Sequence, residues 1–349
     1  MGGLVGLVAQ TPAGMLVDWA RSERTVAAVA VLAIATSALI YVALPVFPAI
    51  LTAAVLHALA SSVLGPVIAA ISLGLVGHAG IAARLGRNAR FASIGNGFAA
   101  ALMGTIGVFF AARSVFIVTA LLIVPTLFAL RRISAREIIP QQAHGGPDQD
   151  RPTTPLTVLL RQRPLIALGC CVGLFHLANA AMLPLMASAL TSRFNEDWAT
   201  GLTAACIVVP QLVVALIAPT VGRLAETWSP RPLLALGFSA LIVRGVLFAT
   251  ATHPAVIVAA QLLDGISAAA LGVIVPLMVA NITRGTGRFN SALGVMGTIA
   301  GGAAALSTTL AGVMTNYVNT RFAFFGLSAL AVVAVLTVVL FAPRTRPKP

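Results

Sequence analysis

The sequence predicts an all-α membrane protein whose chain crosses the bilayer eleven times. Hydrophobic residues make up 59% of the 349 residues and charged residues only 9%, whereas soluble globular chains carry about 25% charged residues. The apolar residues form long runs, and a spanning helix needs roughly 20 of them. The runs are too long for barrel strands, so helices must satisfy the backbone in lipid. They cover residues 1–17, 25–43, 49–76, 91–112, 114–130, 164–190, 200–220, 232–252, 254–280, 290–314 and 322–342.

Positive charge marks alternate ends of these runs. All but four of the 22 Lys and Arg residues lie in the gaps that follow the first, third, fifth, seventh, ninth and eleventh runs. Loops rich in Lys and Arg stay on the cytoplasmic side, so the pattern predicts a cytoplasmic C-terminus and an external N-terminus. The net charge of +13 is therefore interpreted as a topology signal. Nucleic-acid binding is not expected, because no basic face with stacking aromatic residues accompanies the charge.

Several classes of function have no candidate residues. Cys170, Cys171 and Cys206 all lie inside apolar runs without metal-ligand spacing. The only lysine is Lys348, so a phosphate-binding Gly-x-x-x-x-Gly-Lys loop cannot exist. His-Glu-x-x-His and Gly-x-Ser-x-Gly are also absent from the sequence. We therefore expect no enzyme activity, no metal and no cofactor, and the lack of a visible filter segment disfavours a channel.

The chain contains an internal duplication. Gly14–Asp18 follows the first run and Gly222–Glu226 follows the seventh, 208 residues later. Arg90–Ser93 and Arg288–Ser291 repeat the pattern Arg-Phe-x-Ser at the start of the fourth and tenth runs. Each pair sits at the same predicted membrane edge of the corresponding helix. The two halves are thus predicted to be parallel repeats.

The longest polar stretch separates the repeats and suggests the domain boundaries. We expect an N-terminal bundle over 1–132, a flexible cytoplasmic linker over 133–163, and a C-terminal bundle with a cytoplasmic tail over 164–349. The second half has six apolar runs and the first has five. The repeat therefore predicts one further helix before Met1, which makes the eleven runs helices 2 to 12 of twelve.

Two parallel bundles with this signature resemble the major facilitator superfamily, and within it the bacterial drug:proton antiporter-like branch. The first copy departs from the family's Gly-x-Leu-Ala-Asp-Arg-x-Gly-Arg pattern because its second glycine is absent and its basic residues are shifted. The resemblance implies a gate in which the acid binds the N-terminus and an Arg of a neighbouring helix; the alternative is a charged loop that only sets topology. The gating residues implied are Gly14, Asp18, Arg21, Arg24, Gly222, Arg223, Glu226 and Arg231.

The resemblance also implies a function. It implies a monomeric secondary transporter in the bacterial inner membrane, which moves a small organic solute by alternating access and exports it in exchange for protons. Its partners would be the lipid bilayer, a small-molecule substrate and protons. The alternative is a non-transporting membrane receptor or scaffold of the same fold.

Two charged residues lie well inside apolar runs, and such residues usually mark function. At 1.5 Å per residue, Arg244 and Asp264 fall at nearly the same depth in helices 9 and 10. Two interpretations stay open: a salt bridge that ties the two helices together, or a carboxylate that helps carry protons or a cationic substrate. By resemblance, helix 10 lines the cavity, which favours Asp264 as the functional residue and Arg244 as its partner.

Three further polar residues are candidates for a substrate or proton pathway. His57 occupies the position in helix 4 that corresponds to Asp264. The efflux signature that the resemblance leads one to expect here, Arg-x-x-Gln-Gly, is replaced by Ala54–Ala58, so its Arg is absent. His57 is interpreted either as a proton relay, since its charge changes near neutral pH, or as a packing residue. His176 and Asn179 share one face of helix 7, where substrate contact and interhelical hydrogen bonding are both open.

Glycines in helices 5 and 11 predict close packing between the halves. Gly97 and Gly104 lie in helix 5, and Gly297 and Gly301 form a small-xxx-small pair in helix 11. Small residues let helix backbones approach closely in a membrane.

Overall fold

The computed structural model describes residues 2–110, 113–146, 153–192 and 196–343. Every regular element in these ranges is helical, and the predicted all-α fold class is confirmed. A short 3₁₀ helix spans Ala135–Glu137. The α-helices are α1 Gly2–Trp19, α2 Glu23–Ala43, α3 Phe47–Phe109, α4 Arg113–Leu121, α5 Ile123–Arg132, α6 Pro140–Ala143, α7 Leu156–Leu160, α8 Arg163–Asn179, α9 Met182–Thr191, α10 Glu196–Thr227, α11 Pro230–Thr250, α12 Pro254–Ile282, α13 Phe289–Tyr317 and α14 Thr320–Phe341.

Within the described ranges, nine helical stretches are long and apolar enough to cross a membrane. One of them, Phe47–Ile106, has 60 residues. At 1.5 Å per residue it is about 90 Å long, enough for two crossings of a hydrocarbon core of about 30 Å. Counting this stretch twice and adding α1, which is not among the nine, gives the eleven runs predicted from the sequence.

A glycine divides the longest helix where the sequence predicts a loop. Gly77 has φ +62° inside α3, a backbone conformation that glycine adopts without the steric cost that a Cβ brings. The break comes directly after the apolar run that ends at residue 76. It separates the two predicted crossings of α3.

A second break interrupts the predicted run 164–190 between α8 and α9. Pro184 has no N–H to donate to the carbonyl of Ala180, so the helical hydrogen bonding fails there. At the same break, the Ala181 N–H donates to Ser307 Oγ on α13 at 3.0 Å and not to the carbonyl one turn earlier in its own helix. A side chain from another helix thus satisfies a backbone group that the bilayer would leave without a partner.

The contacts group the chain into two compact units whose boundaries differ from those of the sequence repeats. The predicted domain boundaries stay a prediction. The first unit comprises Met1–Ile81, Phe98–Leu159 and Val279–Thr298, and the second comprises Ala82–Gly97, Leu160–Met278 and Ile299–Pro349.

Each unit has its own apolar core. In the first unit, Val17 of α1 and Val67 of α3 are buried in one cluster with Ile138 and Ala143 of the segment between the halves. In the second unit, α14 packs against both α8 and α11. Five charged residues used for the predicted topology lie outside the described residues: Arg151, Arg193, Arg344, Arg346 and Lys348.

Candidate transport site and gate

Three helices of the second unit meet at a buried guanidinium group. Arg244 on α11 is only 2% exposed. Its Nη1 donates to Asp264 Oδ1 on α12, and its Nη2 donates to Asn179 Oδ1 on α8 at 2.5 Å. The salt bridge expected between helices 9 and 10 is therefore present. Asn179 also binds Arg244, which is an interhelical hydrogen bond of the kind that the sequence left open for it.

The charge pair is closed on one side and open on the other. The Asp264 side chain is 25% exposed. Arg244 lies over the ring of Phe248, with its Cζ 5.7 Å from the ring centre. Breaking a buried pair by removing one partner costs about 3–5 kcal/mol, so these helices are strongly coupled through Arg244.

A buried glutamine next to this pair was missed by the sequence analysis. Gln261 is fully buried, and its side chain lies against the thiol of Cys206. The Nε of Arg244 is buried, and no hydrogen-bond partner for it is found among the described residues. Gln261 precedes Asp264 by three residues and so shares its helix face, which is the sequence signal that could have found it.

The other two predicted pathway residues, His176 and His57, do not bind Arg244 or Asp264 in the described structure. His176 lies on α8 one turn before Asn179 and is half-buried; within the described ranges no hydrogen bond to its ring is found. His57 belongs to the first unit, where its Nδ1 lies 3.4 Å from Ser37 Oγ. It lines a cavity of about 410 Å³ with Gln10, Tyr41 and Ser61.

The carboxylate of the first signature binds the start of another helix. Asp18, at the end of α1, is 9% exposed. Its Oδ1 accepts hydrogen bonds from Asn290 N at 3.1 Å and Asn290 Nδ2 at 2.9 Å. Its Oδ2 accepts from Ser291 N at 2.7 Å and Ser291 Oγ at 2.5 Å. An anion at a helix N-terminus is favoured by the helix dipole and by the free N–H groups.

The partners of Asp18 correct one detail of the expected gate. The resemblance implied an Arg beside the helix N-terminus, but in the described structure Asp18 bonds to Asn290 and Ser291, and Arg288 donates to the Thr154 carbonyl at 3.0 Å. Arg21 is exposed, and the half-buried Arg24 has an Nε without a partner among the described residues. The repeated Arg-Phe-x-Ser pattern was the signal that could have identified this contact.

Gly14 is required for the same contact. A Cβ at this position would collide with the carbonyl oxygen of Asn290 and lie 3.1 Å from Ser291 Cα. Only a residue without a side chain lets α1 and the start of α13 approach this closely.

The second copy of the signature keeps the glycine contact but not the acid contact. A Cβ at Gly222 would lie 2.6 Å from the Ala82 carbonyl oxygen, so α10 approaches α3 closely. Glu226 is exposed and has no hydrogen bond or ion pair within the described ranges. Arg223 bonds to Thr220 Oγ1 at 3.3 Å, and Arg231 donates to the Val338 carbonyl near the end of α14 at 3.1 Å.

The four packing glycines differ in their surroundings. At Gly297 a Cβ would lie 2.7 Å from Gln10 Oε1, so α13 passes close to α1, whereas at Gly97 the nearest atom is 3.9 Å away. Gly104 would meet no described atom within 4 Å, so the close approach predicted there is not seen in this structure. Gly301 lies one turn beyond Gly297 on α13.

The chain is similar to known proteins along its whole length. The family model described as Major Facilitator Superfamily matches residues 1–243 and 177–349. Two uncharacterized MFS-type transporters of Mycobacterium tuberculosis strains are 38% identical over 352 residues, 99% of this chain and 83% of theirs. A puromycin resistance protein of Streptomyces alboniger is 29% identical over 125 residues, 36% of this chain and 25% of its own.

Solved structures agree in fold at low sequence identity. The human organic anion transporter aligns with a TM-score of 0.74 at 14% identity, covering 97% of this chain and 82% of its own. The E. coli fucose:proton symporter aligns with a TM-score of 0.73 at 14% identity, covering 99% and 90%. With the family model matching from one end to the other, the chain belongs to the major facilitator superfamily and is a multi-pass membrane protein.

Proposed function

We propose that this chain is a secondary active transporter that exports a small organic solute in exchange for protons. The observation that carries the proposal is the Arg244–Asp264 pair, a fully buried cation neutralised by a carboxylate that is partly exposed. Ionisable residues inside the membrane are expensive and mark substrate or proton pathways. Family membership supports a transporter, and the charge pair supports proton coupling.

Protonation of Asp264 supplies the coupling step. A neutral Asp264 no longer gives Arg244 a counter-charge, and an uncompensated buried charge is costly. The charged and neutral forms of Asp264 therefore stabilise different arrangements of α8, α11 and α12. A ligand that binds one arrangement better shifts the population toward it, which links proton binding to the exposure of the site.

Alternating access also needs a contact that closes the site toward one side of the membrane, and the bonds of Asp18 are proposed as that contact. With Asp18 bound to the start of α13, the end of α1 that the charge pattern assigns to the cytoplasm is held against that helix. We assign this contact to the state that is closed toward the cytoplasm. Releasing it opens the cytoplasmic side.

An amphipathic organic compound is the proposed substrate class, and export is the proposed direction. Support comes from the partial similarity to a puromycin resistance protein. Puromycin is therefore the first compound to test. The proposed location is a bacterial inner membrane with the C-terminus in the cytoplasm, and the chain is proposed to act as a monomer.

Flux into proteoliposomes tests this proposal. With the purified chain reconstituted and a pH gradient imposed in either direction, we expect puromycin flux whose direction follows the gradient. Arg244→Gln combined with Asp264→Asn, which removes both charges, should retain folding but lose the gradient-driven component. Glu137→Gln, which changes an exposed carboxylate of the segment between the halves, should behave like the unchanged chain. Flux that ignores the gradient in all three proteins would exclude proton coupling.

A screen separates transport from the receptor alternative. Cells that lack the protein should retain the exported compound, and an unbiased comparison of retained compounds would identify it. If no compound moves under any gradient, the receptor or scaffold role is favoured instead.

A further inference from the structure

The segment between the halves is built into the core of the first unit. Ile138 is 6% exposed and Ala143 is fully buried, and both belong to the apolar cluster that contains Val17 and Val67. A linker that served only as a tether would leave such residues in solvent. We call Ile138–Gly146 the clamp segment.

On one side, the clamp segment binds the loop between α12 and α13 through its backbone carbonyls. The Gly145 oxygen accepts from Gly285 N at 2.7 Å and Gly287 N at 3.3 Å, and the His144 oxygen accepts from Phe289 N at 3.1 Å. The carbonyl of Ala143 accepts from Asn290 Nδ2 at 3.1 Å. This loop leads directly into the helix whose first N–H groups bind Asp18.

On the other side, the clamp segment is fastened to the beginning of α2 and the middle of α3. His144 Nε2 lies 3.0 Å from Glu23 Oε1, and the Glu23 side chain is only 4% exposed. The Ile139 N–H donates to the carbonyl of Gly74 at 3.1 Å.

Asn290 joins the clamp segment to the gate. Its Nδ2 group, which carries two hydrogens, donates to Asp18 Oδ1 and to the Ala143 carbonyl. Moving the start of α13 away from α1 must therefore break one side of the clamp segment as well as the Asp18 bonds. A contact that is lost in one state and kept in the other shifts their relative populations.

We propose that the clamp segment is a working part of the gate, which stabilises the state closed at Asp18, with His144 and Glu23 as its fastening pair. The contacts of the clamp segment stand on their own, but its effect on the transport cycle rests on the function proposed above. His144 and Asn290 are positioning residues: they hold the α13 start in place and do not touch the substrate.

Disulfide crosslinking across the gate tests the clamp segment. Thr11 Oγ1 and Thr298 Oγ1 lie 2.9 Å apart between α1 and α13, so Thr11→Cys with Thr298→Cys should crosslink in the closed state. Cys170, Cys171 and Cys206 are first replaced by Ala to leave one reactive pair. We expect His144→Gln and Glu23→Gln each to lower the crosslinking rate roughly five-fold or more, the lower end of typical coupling between sites.

Two controls keep the outcome clear. Glu137→Gln, on an exposed residue just before the clamp segment, should leave the rate unchanged. The exchange Glu23→His with His144→Glu should restore the pair and the rate, which separates a lost contact from a misfolded protein. Unchanged crosslinking in both single variants, in protein that elutes as a single species, would overturn the proposal.

The crosslinking is measured without substrate or gradient, so it is independent of proton coupling. Loss of the clamp effect with intact gradient-driven flux would reject the clamp and keep the proposed function. A clear effect of the clamp variants on crosslinking, in a chain without flux, would support the clamp and reject the proposed function.

Discussion

Arg244 is a buried charged residue inside a predicted spanning helix. Insertion scales put Arg at the centre of a spanning helix at about 2.5–3.5 kcal/mol, and the structure offsets this with Asp264 and Asn179. The guanidinium is therefore neutralised by one group and hydrogen-bonded by another. The effect of Arg244 on the folding stability of the chain therefore depends on both partners being present.

A double-mutant cycle measures this dependence. Asp264→Asn should lower the stability by about 3–5 kcal/mol, because it leaves a buried charge without its counter-charge. Arg244→Gln combined with Asp264→Asn should recover most of that loss, since both charges are gone. Thermal unfolding in detergent gives the stability of the unchanged chain, of each single variant and of the double variant. Purely additive losses would contradict the coupling.

Gly14 should be less tolerant of a methyl group than other glycines of α1. Gly14→Ala puts a Cβ into the carbonyl of Asn290, so we expect it to push α13 away and to reduce Thr11–Thr298 crosslinking as strongly as loss of Asp18. Gly3→Ala is the matched control, because a Cβ there meets nothing within 4 Å in the described structure. Equal crosslinking in the two variants would show that the close approach has no role in the closed state.

The duplicated signature gives two different sets of contacts at the level of helices. The end of α1 is tied to α13 by four hydrogen bonds to Asp18. The end of α10 approaches α3 through Gly222, but its acid, Glu226, is exposed. The repeat therefore conserves the close helix approach and not the anion site.

Neutralising the two acids should have unequal effects. Asp18→Asn removes the charge at the α13 N-terminus and replaces one acceptor oxygen by an NH2 group that faces N–H and O–H donors, a loss of about 1–3 kcal/mol. We expect it to shift the chain toward the state open to the cytoplasm, with lower Thr11–Thr298 crosslinking. Glu226→Gln should leave the same measurement unchanged. Similar shifts in both would mean that Glu226 finds a partner in solution.

For the whole molecule, the distribution of Arg predicts the orientation in the membrane. Exposed positions at the ends of helices make the prediction testable in a chain without its native cysteines. Thr227→Cys, at the end of α10, should react with a membrane-impermeant reagent only from the cytoplasmic side. His253→Cys, between α11 and α12, should react only from outside. Reaction of both from one side would contradict the predicted topology.

Local patterns were enough for the architecture and for part of the site. Long apolar runs can satisfy their backbone in lipid only as helices, which is why helices cover the predicted runs, although α3 spans two runs and two other runs are each divided between two helices. Two charges at equal depth in neighbouring helices gave the Arg244–Asp264 pair. The signature gave Asp18 and Gly14, because their chemistry is local to one helix end.

The sequence by itself determined the all-helical membrane fold, and it predicted the duplication and the pairing of Arg244 with Asp264, because each depends on composition or on spacing along the chain. Only the tertiary structure decided what those residues touch. Asp18 bonds to Asn290, 272 positions further along the chain. Asn179 accepts a hydrogen bond from Arg244, 65 positions further along the chain. The segment predicted as a flexible linker is partly buried because the loop between α12 and α13 offers N–H groups to its carbonyls. Such partners depend on how helices pack, and no pattern within one segment contains that information.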